Sequence, residues 1–127
     1  MKITGFLYVL LSLAFLLPEG SGDYASLILG EWRRHDPDGT FLLYEKYVFH
    51  KDGRAIYSEQ YLDGHELNEE TRTYRIAGNI LIIELKKIIG RGKEYYRYKI
   101  ISLSESTMIL QLMSKYLRTE PETWARP

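Results

Sequence analysis

The side chains able to do chemistry are few and scattered. His35, His50 and His65 each sit at or beside a turn signal. Histidine is the commonest neutral ligand for zinc or copper, so three gathered at one end would make a metal centre. Successive turns of an antiparallel meander alternate between its two ends. His35 and His65 are therefore expected to share an end with His50 opposite, and exposed surface is the expected role of all three. Asp36-Pro37-Asp38-Gly39 brings two carboxylates close together. Calcium takes about six to eight oxygens at set positions, and only a fragment of such a loop is present. Pro and Asp are ordinary turn residues, and a turn is the expectation here.

Glu45 is the more informative anomaly. It falls on the apolar parity of the segment from Phe41 to Lys51. Facing inward, it needs a partner, with Arg97 or Lys99 as candidates, and it could orient a ligand head group. The competing explanation is a slipped register or a bulge. Tyrosine is abundant, at 11 residues. Tyr95, Tyr96 and Tyr98, and Tyr57 with Tyr61, could line a pocket for aromatic or lipid-like molecules, since tyrosine joins an apolar body to a polar tip. Tyrosine also suits strands for purely structural reasons. No Ser-His-Asp, Cys-His or paired-carboxylate arrangement is legible. The expectation is a protein that is not an enzyme and carries no cofactor or metal.

The elements that must position these groups are marked by turn punctuation. Asp38-Gly39, Asp52-Gly53, Asp63-Gly64, Gly78-Asn79, Gly90-Arg91-Gly92 and Ser104-Glu105-Ser106 recur at near-regular intervals. Asp-Gly pairs suit the type I′ turns that match strand twist. Between them, Phe41, Leu43, Tyr47 and Phe49 alternate against Lys46 and His50, the period of a half-buried strand. Ile80-Leu81-Ile82-Ile83 is apolar on both faces. Strands are predicted over 27–36, 41–51, 54–62, 69–77, 79–89, 93–103 and 107–118, with an eighth over 122–126 left open. No helix is predicted after residue 23, where β-branched and aromatic residues dominate.

A meander of this length twists and closes to remove its edges. The predicted fold is all-β, an antiparallel up-and-down barrel of about eight strands. The inward set by parity is Trp32, Phe41, Leu43, Tyr47, Phe49, Tyr74, Ile76, Leu81, Ile83, Tyr98, Ile100, Leu110 and Leu112. Ile80, Ile82, Ile101 and Ile109 fall on the opposite parity, where an exposed apolar patch would invite a protein partner.

The start of the chain reads as an address. Lys2 precedes an apolar run from Phe6 to Leu17 interrupted only by Ser12, then Pro18 and the small residues Gly20, Ser21 and Gly22. That is the layout of a secretory signal peptide over 1–22, and the run falls short of the roughly 20 apolar residues a spanning helix needs. A domain over 23–127 would be secreted or periplasmic, with no membrane span after cleavage. With no cysteine in the chain, lipid attachment at a new N-terminal Cys is excluded and the fold must hold without disulfides. Charge is balanced at 17 basic and 17 acidic residues, with no basic stripe to track phosphates, which argues against nucleic acid.

Gly30-Glu31-Trp32 resembles the Gly-x-Trp signature of lipocalins. Tyr47-Val48-Phe49 with Lys51-Asp52-Gly53, the run Tyr74 to Asn79 followed by Leu81 and Ile83, and Tyr98-Lys99-Ile100 with Leu103-Ser104 and Leu110 resemble successive hairpins of the small bacterial lipocalin-like domains. The resemblance covers nearly all of 23–127. It implies an eight-stranded barrel with a pocket for a small hydrophobic ligand, here lined by Phe41, Glu45, Tyr47, Tyr74 and Tyr98. It also implies that the first-strand tryptophan packs at the closed end against a late basic residue, which would pair Trp32 with Arg118. The Thr-Asp-Tyr type motif of the larger lipocalins is missing, and there is no room for the helix that flanks their barrel. The alternative is a secreted or envelope interaction or inhibitor module whose barrel is filled by side chains.

Overall fold

The computed structural model describes residues 21–35, 42–66, 69–85, 92–114 and 119–127. A short helix, α1 (Ser21–Leu27), leads into eight strands: β1 (Gly30–His35), β2 (Leu42–Phe49), β3 (Arg54–Tyr61), β4 (Glu70–Ala77), β5 (Ile80–Leu85), β6 (Glu94–Leu103), β7 (Thr107–Leu112) and β8 (Glu122–Ala125). Each strand pairs antiparallel with the next, and β8 returns to β1, so the sheet is a closed up-and-down barrel in sequence order. The seam between first and last strands is slight, with Arg33 opposite Ala125 as its one ladder pair among the described residues.

Turn chemistry sets the hairpins, in a form different from the one expected. No described non-glycine residue has positive φ, so Asp52-Gly53 and Asp63-Gly64 do not make type I′ turns. Gly53 N–H donates to the His50 carbonyl and His50 N–H to the Arg54 carbonyl, closing a three-residue loop with Gly53 at φ +92°. Tyr61, Gly64 and His65 repeat the arrangement. These are type I turns finished by a left-handed glycine. Gly78-Asn79 is a two-residue loop between Ala77 and Ile80 with only its first position at positive φ, the pattern of type II′.

Eight members of the predicted inward set are buried: Trp32, Tyr47, Phe49, Leu81, Ile83, Tyr98, Ile100 and Leu110. Tyr74, Ile76 and Leu112 pack half-buried against them. Leu43 does not join them. The β2–β3 register slips between Leu42 and Tyr44, leaving Leu43 as the extra residue of a bulge, and it is exposed. A second slip between Ile100 and Ser102 turns Ile101 outward and brings Leu103 into the core. Of the four isoleucines expected as an outer patch, Ile82 is buried, Ile80 and Ile109 are half-buried, and Ile101 alone is exposed. Phe41, Arg118 and the Asp36 to Gly39 turn lie outside the described residues.

Helix α1 corrects the all-strand expectation at the start of the domain. Tyr24, Leu27 and Ile28 sit at helical spacing and present one apolar face. Tyr24 and Ile28 are buried in the core cluster with Trp32, Met108 and Leu110. This end of the barrel, the base, is closed by packed apolar side chains.

Candidate functional site

The base is held by a cation stacked on an indole. Trp32 Nε1 donates to the Ile28 carbonyl at 2.8 Å. The Arg126 guanidinium lies 3.9 Å from the centre of the Trp32 ring. Arg126 also donates to the carbonyls of Leu27 and Leu29, both at 2.7 Å, and of Glu105 at 3.1 Å. Among the described residues the cation over Trp32 is Arg126, while Arg118, the residue expected there, lies outside them. Gly30, at φ +104°, makes the approach possible, since a Cβ there would stand 2.8 Å from Arg126 Nη1. The Gly-x-Trp spacing places the residue without a side chain beside the ring that the arginine covers.

The other end, the mouth, is where β1, β3, β5 and β7 finish and the interior turns polar. Cross-strand pairs build it. Arg34 on β1 lies opposite Glu45 on β2, and Tyr47 lies opposite Tyr57 on β3. Glu45 does face inward, but its partners are not Arg97 or Lys99. Arg34 Nη1 donates to one oxygen at 3.1 Å and the Tyr57 hydroxyl to the other at 2.8 Å. Arg72 on β4 donates to the Tyr47 hydroxyl at 2.6 Å and to Glu70 at 2.8 Å, while its guanidinium lies 4.0 Å from the Tyr57 ring centre. Its Nε is buried with no hydrogen-bond partner among the described residues. On β8, Trp124 Nε1 donates to Glu122 at 3.2 Å, and Arg34 stands 3.8 Å from the same carboxylate.

These side chains enclose a cavity of about 220 Å³, lined by Arg34, Glu45, Tyr47, Tyr57, Arg72, Tyr96, Tyr98, Leu112, Glu122 and Trp124. A wider recess of about 540 Å³ lies outside it between His35 and the stretch 119–123, and it shares Arg34 and Glu122 with the inner cavity. The Arg34–Glu122 pair therefore stands between the two. Burial pushes the hydroxyl pKa of Tyr47, Tyr57 and Tyr98 well above the usual phenol range, with neighbouring Glu45 adding to the rise at all three. All three are neutral phenols at physiological pH. Burial also raises the Glu122 carboxyl, against the opposing pull of Arg34 and the Trp124 N–H.

No protein-family model, curated protein sequence or solved structure gives a significant match to this chain.

Of the residues expected at the site, Glu45, Tyr47 and Tyr98 line the cavity. Tyr74 sits lower, its hydroxyl donating to the His50 carbonyl and its ring edge-on to Phe49. Phe41 is not described. Tyr57 and Tyr96 join the lining, while Tyr95 points to the surface. Arg34, Arg72, Glu122 and Trp124 were not legible as site residues, because each is placed there only by the register of its strand. His35 and His65 share the mouth and His50 lies at the base turn. Among the described residues no group of three His, Asp or Glu side chains is placed to hold a metal ion, and no helix is long and apolar enough to cross a membrane. Both Glu45 oxygens are committed to donors. The arrangement can bind and orient a small molecule through aromatic walls and the remaining open polar atoms.

Proposed function

We propose that this chain is an exported, non-enzymatic, lipocalin-like barrel that binds a small ligand in the cavity at its mouth. The observation that carries the reading is a closed barrel divided in two, with a solidly packed apolar base below and an aromatic, charged cavity above. Preformed concave sites with aromatic walls and a few placed polar groups are the usual form of small-molecule sites. At about 220 Å³, this one falls below the roughly 300–1,000 Å³ of typical ligand pockets. The ligand is therefore compact. The charged lining narrows a purely hydrophobic ligand to one with an apolar body and a polar head. Export rests on the layout of residues 1–22, and the family resemblance rests on Gly30-Glu31-Trp32 and the hairpin residues.

Native mass spectrometry of the protein recovered from its exported compartment tests this. The expected spectrum shows a chain beginning at Asp23 with a small adduct that is lost on denaturation. A clean apo mass that stays clean on adding compact amphipathic compounds would overturn the carrier reading. It would favour the interaction or inhibitor module, in which the mouth side chains satisfy one another and close the barrel.

A further inference from the structure

The cavity's charges do not pair off evenly. Among the described residues, each guanidinium in the wall has a carboxylate at hydrogen-bond distance. Arg34 has Glu45 at 3.1 Å and Arg72 has Glu70 at 2.8 Å. Glu122 is left over. Its nearest cation among the described residues is Arg34 at 3.8 Å, too long for a hydrogen bond. One of its oxygens takes the Trp124 N–H at 3.2 Å, and the other has no hydrogen-bond partner among the described residues. The side chain is only 15 % exposed. A neutral ligand sealing this cavity would desolvate that carboxylate further with nothing to offset the loss. An anion would meet it directly, at a site where Arg34 is held by Glu45 and Arg72 by Glu70 and the Tyr47 hydroxyl, so that only Arg72 Nε, buried in the wall, is without a partner among the described residues.

We propose that the cavity selects a small organic cation, of the methylated or quaternary ammonium class, with Glu122 as its counter-charge and Trp124, Tyr96 and Tyr98 as aromatic walls. This rests on the reading of the cavity as a ligand site. Ammonium groups without strong hydrogen-bonding needs are held by ring faces through their quadrupoles, best by tryptophan. The barrel already holds cations this way, most closely with Arg72 over Tyr57 at 4.0 Å and Arg126 over Trp32 at 3.9 Å among the described residues. The small volume suits a compact head group and leaves no room for a long chain. The outer recess is bounded by the same Arg34 and Glu122, so the carboxylate borders both spaces.

The experiment is calorimetric titration of the intact folded protein with three probes: choline, its uncharged carbon isostere 3,3-dimethylbutan-1-ol, and benzoate. Choline is expected to bind at least about tenfold tighter than the isostere, a difference of about 1.4 kcal/mol, and benzoate to bind more weakly still. Glu122→Gln, nearly isosteric, is expected to erase the preference for charge. The wild-type comparison stands even if that variant folds poorly. Equal or tighter binding of the isostere or of benzoate would overturn the cation assignment while leaving a ligand-binding cavity. Absence of choline binding would overturn the assignment as well, and the carrier reading falls with it only if the native mass is also clean.

Discussion

Gly30 holds a backbone conformation that side chains disfavour, at φ +104°, in the one place where a side chain would also strike Arg126. Gly30→Ala is expected to cost about 1–3 kcal/mol in urea unfolding, from backbone strain and the displaced guanidinium. Arg126→Ala loses the stack on Trp32 and several bonds to carbonyls, an expected cost of about 2–4 kcal/mol. The double variant should lose less than the sum, because the clash disappears with the arginine. Strict additivity would show that the contact between the two positions is not felt. At the mouth, burial raises the Glu122 carboxyl above its ordinary value. The unfolded chain then ionises more readily than the folded one. Stability from this group is full below the ordinary carboxylate range and lost as pH rises through the raised folded value. Glu122→Gln should therefore gain on the wild type as pH rises from the ordinary carboxylate range toward neutrality in paired urea titrations. A difference that is flat, or of opposite slope, would contradict the burial account. Glu45 was legible as an anomaly of parity, but its partners were not. Arg34 meets it only because β1 and β2 pair in one particular register, and one residue of slip would send either outward.

Helix α1 carries weight beyond its seven residues. Tyr24 and Ile28 are buried against Trp32 and the barrel base, and the carbonyl of Leu27 receives Arg126. Cleavage after Gly22 would leave all three in place. A chain starting at Asp23 should thus match the full folded stability, while Tyr24→Ala should lose about 2–4 kcal/mol of it by leaving a cavity. A loss under about 0.5 kcal/mol would mean the helix is not part of the core. The spacing of Tyr24, Leu27 and Ile28 was present in the sequence. It is a short signal beside a long apolar run, and a strand pattern beginning at Leu27 overrides it. The bulges at Leu43 and Ile101 were not legible at all. Alternation predicts the parity of a regular strand, whereas a bulge is settled by what the neighbouring strand needs. The strands themselves were legible, because turn residues punctuate them and aromatic and β-branched residues fill them. The eighth, a short stretch after Pro121, was left open by the same signals, and the structure forms it as β8.

Taken whole, the barrel is an apolar plug with a polar bowl above it. The plug needs no disulfide, and its indole, Trp32, is fully buried at the base. The bowl holds the other tryptophan, Trp124, whose N–H points at Glu122 beside the cavity. The closed barrel follows from strand count and edge removal, and could be reasoned from the sequence. The division into plug and bowl could not, because it depends on which inward positions of eight strands fall at the same height. The chain contains two tryptophans, and of the two only Trp124 lines the cavity. The most direct test of a ligand site at the mouth is therefore the pair of indole N–H resonances, followed by ¹⁵N-resolved NMR as compact amphipathic compounds are added. The Trp124 resonance is expected to shift and saturate with ligand while the Trp32 resonance stays in place. A Trp124 resonance that never moves across neutral, anionic and cationic compounds, or two resonances that always move together, would contradict a binding cavity above a rigid base.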